Sequence, residues 1–155
     1  MQIETAPDGT LVLSSAIDST PEAVRDLLAR LTAALQARDA LPPPDSMWEL
    51  VLAEALNNIV EHAYGDRPAG RIALRIARGP GRLRVDIADH GRPMPGGRLP
   101  DERDADLTVA ASDMPEGGFG WTLIRRLTED LRYTRDGPVN RLRLSIRLTP
   151  PGQVS

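Results

Sequence analysis

Residues 54–64 read Glu54-Ala55-Leu56-Asn57-Asn58-Ile59-Val60-Glu61-His62-Ala63-Tyr64, and the fold turns on how this stretch is understood. It lies in a segment, 46–64, in which Leu52, Leu56, Ile59, Val60 and Ala63 recur at helical spacing as an apolar stripe. Glu54, Asn57, Asn58 and Glu61 take the opposite side, with His62 beside them. Glu54 and Asn58 are one turn apart and project together. Asp45 or Ser46 is the expected cap at the start, and Gly65 the expected cap at the end. A solvated polar face is the plain reading. Two adjacent asparagines weigh against it, because Asn is a mediocre helix former and a solvated face more often carries Glu, Lys or Arg. The functional reading is that an Asn carbonyl is a hard, neutral oxygen suited to Mg²⁺.

Upstream, Thr10–Ile17 reads as a strand after the turn Pro7-Asp8-Gly9. Thr20-Pro21 starts a helix, with a capping hydroxyl and Pro at the first helical position. Val24, Leu27, Leu28, Leu31 and Leu35 give it a periodic stripe, and Leu41-Pro42-Pro43-Pro44 ends it. Downstream, alternation of Ile72, Leu74 and Ile76, then of Leu83, Val85 and Ile87, predicts a hairpin over 71–89 turning at Gly79-Pro80-Gly81. Residues 91–117 show no sustained period, and a connection of that length is usually a functional lid, here expected over 92–116. A glycine-rich turn then opens a helix, Trp121–Leu131, followed by strands near 131–136 and 140–148. The order β-α-α-β-β-lid-α-β-β predicts an α+β two-layer sandwich: one sheet, mixed but mostly antiparallel, with helices on a single face. Residues 1–150 read as one domain and 151–155 as a loose tail.

Two further motifs bear on chemistry. Asp86-Ile87-Ala88-Asp89-His90-Gly91 ends a strand in an acid followed one residue later by Gly. Such a carboxylate can accept a bond from an exocyclic amine, and the Gly lets a ligand approach the backbone. The same pattern is also an everyday turn. Gly117-Gly118-Phe119-Gly120 opens a helix, where free backbone N–H groups make an anion site. A dinucleotide fingerprint fails there, because Trp121-Thr122-Leu123 follows Gly120 and the third Gly is missing.

Composition excludes several classes. All 19 basic residues are Arg. Without lysine, neither a P-loop nor a eukaryotic-type protein kinase site can be assembled. There is no cysteine, so disulfides, thiol nucleophiles and zinc–cysteine sites are absent. A net charge of −3 without a basic block makes nucleic acid a poor partner. No apolar run approaches the ~18 residues that span a bilayer, and the start is unlike a signal peptide. The chain reads as soluble and cytoplasmic.

Taken in order, the helix, the Asp-x-Gly strand end, the lid and the Gly-x-Gly helix start resemble the Bergerat ATP-binding fold of gyrase-type ATPases and sensor histidine kinases. The resemblance is strongest to the anti-sigma factor serine/threonine kinases of bacterial partner-switching systems. Glu54-Ala55-Leu56-Asn57-Asn58 with His62-Ala63-Tyr64 is similar to that family's first box. Asp89-His90-Gly91 is similar to its adenine box, and Glu116-Gly117-Gly118-Phe119-Gly120 to its second glycine box. By that resemblance the chain binds ATP or ADP with Mg²⁺. Asn58 is the Mg²⁺ ligand, Glu54 the general base, and Asp89, with Gly91, the adenine site. Gly118, Phe119 and Gly120 surround the phosphates, with His62 nearby. Asn140 stands under the adenine where the family usually places Thr. The resemblance further implies a homodimer that phosphorylates a Ser or Thr of an anti-sigma factor antagonist and sequesters a sigma factor or similar regulator. Two alternatives stay open: an ATP/ADP-gated binding module without catalysis, and the ATPase part of a histidine kinase. Against the first, a pure nucleotide sensor needs no base such as Glu54.

Overall fold

The computed structural model describes residues 1–64, 70–100 and 118–148. The sheet is built on the alternation noted above. β3 (Arg71–Gly79) and β4 (Arg82–Asp89) form a hairpin closed by Pro80-Gly81, with Gly81 at φ +72. Ile72, Leu74 and Ile76 of β3 and Leu83, Val85 and Ile87 of β4 all point into the core. Arg71, Arg75 and Arg84, the alternate residues, are exposed. β2 (Leu11–Asp18) pairs with β3, and β6 (Val139–Arg147) pairs with β4. β5 (Glu129–Asp136) forms one edge beside β6. The other edge is β1 (Gln2–Thr5), a short strand with no strong alternation in its sequence. The order is β1-β2-β3-β4-β6-β5: the expected α+β sandwich holds, with every pairing among the described residues antiparallel rather than mixed.

Three helices cover the apolar face. α1 (Pro21–Ala37) begins as expected: Thr20 Oγ1 accepts the Ala23 N–H at 3.1 Å and Pro21 takes the first position. Its Val24, Leu27, Leu31 and Leu35 are buried in the domain's own core. α2 is Trp48–Asn58, and it continues as a π-helical turn over Ile59–Ala63. Neither Asp45 nor Ser46 caps it. Both lie in a 3₁₀ turn, Pro44–Ser46, with Ser46 Oγ donating to the Pro43 carbonyl at 2.6 Å. The residue before the helix is Met47, left-handed at φ +59 and without a capping side chain. Gly65 lies outside the described residues. α3 is Gly118–Leu127, earlier than expected at both ends; Glu129–Leu131 belong to β5 instead. Thr128 Oγ1 donates to the Ile124 carbonyl at 2.6 Å and finishes that last turn. No helix among the described residues is long and apolar enough to cross a membrane.

α2 packs against both α1 and α3. This central position buries more than one stripe. Trp48, Val51, Ala55 and Asn58 are buried as well as Leu52, Leu56 and Val60. The expectation that Asn58 lies on a polar face opposite the core is corrected: it is 5% exposed.

Candidate functional site

The site follows α2 from its middle to its last turn. At the middle stand Glu54 and Asn58. Gly120, in the first turn of α3, faces them directly. A Cβ added at Gly120 would lie 2.6 Å from Glu54 Oε2 and 3.4 Å from Asn58 Nδ2. Glycine at this position lets the two helices meet without displacing the Glu54 carboxylate. The contact brings the carboxylate and the amide of α2 to the start of α3, where free backbone N–H groups attract anions. Gly118 and Phe119 form the same opening turn.

Asn58 Nδ2 is buried and has no hydrogen-bond partner among the described residues. An orphaned amide of this kind costs about 1–3 kcal/mol, and native structures keep few of them. Here it lies between a carboxylate and a helix start, which suits a polar ligand completing it. An Asn oxygen fits Mg²⁺, which takes few protein oxygens and fills its shell from phosphates and waters.

At the other end stands Asp89, the last residue of β4, 4% exposed. Its Oδ1 accepts the Gly91 N–H at 2.9 Å and Asn140 Nδ2 at 2.9 Å. Asn140, opposite it on β6, is also buried and donates further to the carbonyls of Gly91 (3.2 Å) and Arg92 (2.9 Å). Its Oδ1 accepts Tyr133 OH at 2.6 Å and Arg135 Nη1 at 3.0 Å. Asn140 is therefore fully used by the protein. It stands behind Asp89 and bonds its Oδ1.

At Gly91 a Cβ would overlap the Ala63 carbonyl, so its missing side chain admits the end of α2. The Arg92 N–H donates to that same carbonyl at 2.8 Å. Through this stitch α2 touches the Asp89 turn with its last residues and Gly120 with its middle. About 12–14 Å of helix separates the two contacts at ~1.5 Å per residue. His62 does not join either group: its imidazole is exposed, 3.7 Å from Glu61 Oε2.

Sequence reasoning missed three residues that build this end. Tyr64 OH accepts the His90 N–H at 2.7 Å and donates to the Arg71 carbonyl at 2.7 Å. Tyr133 OH accepts the Met94 N–H at 2.9 Å, and Arg135 Nη1 donates to the Gly91 carbonyl at 2.7 Å. The only signal was scarcity: the chain has two tyrosines, and both hydroxyls hold the segment that follows Asp89. Of the expected lid, Pro100 is held by Arg125, whose Nε and Nη2 donate to its carbonyl at 3.1 and 2.7 Å. Residues 101–117, with Glu116 and Gly117, lie outside the described residues.

This geometry agrees with comparisons to known proteins. Two curated relatives, each named Serine-protein kinase RsbW, from Bacillus cereus (strain AH820) and Bacillus anthracis (strain CDC 684 / NRRL 3495), are 30% identical over 89 residues. That match covers 57% of this chain and 55% of each relative, so the alignment spans about half the length of those proteins. Among solved structures, the RsbU and RsbW domains of Rv1364c from Mycobacterium tuberculosis superpose with a TM-score of 0.57 at 19% identity, over 93% of this chain and 34% of that one. This likeness is one of fold. The model of the histidine kinase-like ATPase domain matches residues 17–146, most of the sheet and all three helices, and the chain belongs to that family.

Proposed function

We propose that the chain is a Mg-ATP-dependent serine/threonine kinase and anti-sigma-type regulator. It would phosphorylate an antagonist protein on Ser or Thr and, in the alternate state, sequester a sigma factor or similar target. The observation that carries the reading is the meeting of Glu54, the orphaned Asn58 amide and Gly120 at the start of α3. The name and sequence of the Bacillus relatives support it over the length they share.

In this reading the nucleotide lies along α2, its base at Asp89 and its phosphates at Gly118–Gly120. Bound Mg²⁺ would neutralise phosphate charge as the bond to the leaving group breaks. Asn58 would hold the metal through its amide oxygen. The backbone N–H groups of Gly118, Phe119 and Gly120 take phosphate oxygens. Glu54, partly exposed beside them, receives the proton of the attacking hydroxyl. His62 has no part in these steps. The protein acts as a homodimer. Since α1 spends its stripe on its own core, the pairing uses other surfaces. Light scattering should give twice the 16.9 kDa chain mass.

The direct test is transfer of radiolabelled phosphate from ATP to small antagonist proteins encoded beside this chain. Label on a Ser or Thr of one of them is the expected result. Tight binding of an antagonist with no transfer would replace the kinase with a nucleotide-gated binder.

A further inference from the structure

Asp89 offers a ligand one oxygen rather than two. Oδ1 is occupied by the Gly91 N–H and by Asn140 Nδ2. No hydrogen bond is made to Oδ2 among the described residues. Whether this holds depends on which way the Asn140 amide points. Turned over, Asn140 would set its own oxygen against Asp89 Oδ1 and against the carbonyls of Gly91 and Arg92.

Nothing in Asn140 itself forbids that flip; its neighbours do. Tyr133 OH reaches its Oδ1 at 2.6 Å and Arg135 Nη1 at 3.0 Å. An Arg nitrogen can only donate, so the atom that faces it must be an acceptor. On the opposite side, three oxygens face Nδ2, which must be a donor. All five contacts agree on one orientation. Both locking side chains come from β5, the edge strand, and Tyr133 also pins the Met94 N–H at 2.9 Å. The arrangement thus reaches from the sheet edge to the base-reading acid.

We propose that Tyr133 and Arg135 are positioning residues for base selectivity, locking the Asn140 amide so that Asp89 Oδ2 is the single free acceptor for an exocyclic amine. The proposal rests on the nucleotide reading above. A purine with an amine at position 6 satisfies Oδ2. A purine with a carbonyl there sets oxygen against oxygen. Selectivity of this kind is a difference between two affinities, built partly on what it rejects. Asn140 meets no ligand itself, having spent both amide hydrogens and both oxygen lone pairs on the protein.

The test is calorimetric binding of ADP and of inosine diphosphate to the full chain. These ligands differ only around position 6 of the base, so their ratio cancels defects in phosphate binding or overall fold. The wild type should prefer ADP by on the order of 30-fold or more, the range of a hydrogen bond to a charged group. Tyr133→Phe should cut that ratio about 10-fold, and Arg135→Gln about 3-fold, chiefly by weakening ADP. Asn140→Thr supplies the control. A threonine hydroxyl turns freely and has no amide to lock, so adding Tyr133→Phe to it should leave the ratio within about twofold. If Tyr133→Phe weakens both nucleotides equally and the ratio is unmoved, the hydroxyl is merely structural and the proposal is overturned. Should the wild type bind neither nucleotide, the nucleotide reading fails, and this proposal with it.

Discussion

The two ends of the groove along α2 are built on opposite plans. Around Asp89, Asn140, Tyr133, Arg135, Tyr64 and the backbone of residues 90–94 bond one another. Around Asn58, a buried amide nitrogen has no hydrogen-bond partner among the described residues, and Gly120 faces both it and the Glu54 carboxylate. At the first end, Asp89 Oδ1 is taken by the protein and only Oδ2 is left without a hydrogen bond among the described residues. A recognition surface gains from rigid, satisfied neighbours, since a bound base then loses nothing to their rearrangement. A reacting centre must keep free the groups that take up charge in the transition state. The same helix serves both, because its middle meets α3 and its end meets the Asp89 turn.

The largest expected effect belongs to the open end. Glu54→Gln keeps size and hydrogen bonding but removes the basic oxygen. It should bind Mg-ATP and capture its partner normally, yet transfer phosphate at least ~100-fold more slowly in single turnover. An unchanged rate would remove Glu54 as the base.

The glycines divide the two ends next. At Gly120 an added Cβ meets the tip of a flexible carboxylate, which can swing aside. Gly120→Ala should therefore melt close to the wild type while losing ~10–100-fold in transfer rate through the displaced Glu54. At Gly91 the obstacle is the Ala63 backbone, which cannot swing aside. Gly91→Ala should cost about 1–3 kcal/mol, seen as a thermal midpoint lower by several degrees. If both variants melt alike, the contrast between a movable and a fixed neighbour is wrong.

Legibility in the sequence followed the same division. The apolar alternation of β3, β4 and β6 and the capped start of α1 depend on neighbours within a few residues, and periodicity exposed them. The motifs that mark Glu54, Asn58, Asp89 and Gly120 were legible as ordered types. What they touch was not. Asn58 looked solvent-facing because a helical wheel allows one apolar side, whereas α2 is flanked by two helices. β1 has only Ile3 to bury and earns its place by pairing with β2. Tyr133 and Arg135 sit in a strand whose other residues are mostly exposed, and their partners lie five to forty-four residues away. The approach of Ala63 to Gly91 joins residues far apart in sequence, which no local pattern marks.

A smaller signal should report on the open end alone. Trp121 follows Gly120 and is 7% exposed, while Trp48 lies at the far end of α2. Titration with Mg-ADP should shift the emission of a Trp48→Phe variant, in which Trp121 is the sole tryptophan. The shift should be absent from a Trp121→Phe variant, whose single tryptophan is Trp48. Equal shifts in both would mean that binding is felt throughout the core rather than at the start of α3.

The central claim is that one groove reads a base at Asp89 and holds Mg-phosphate at Asn58. Calorimetric titration with ATP and ADP, with and without Mg²⁺, tests it most directly, using the wild type, Asp89→Asn and Asn58→Ala. The account predicts saturable binding by the wild type. Asp89→Asn should bind at least ~10-fold more weakly whether or not Mg²⁺ is present, and Asn58→Ala should lose the Mg²⁺ dependence. Absence of heat with either nucleotide, or three identical isotherms, would contradict it.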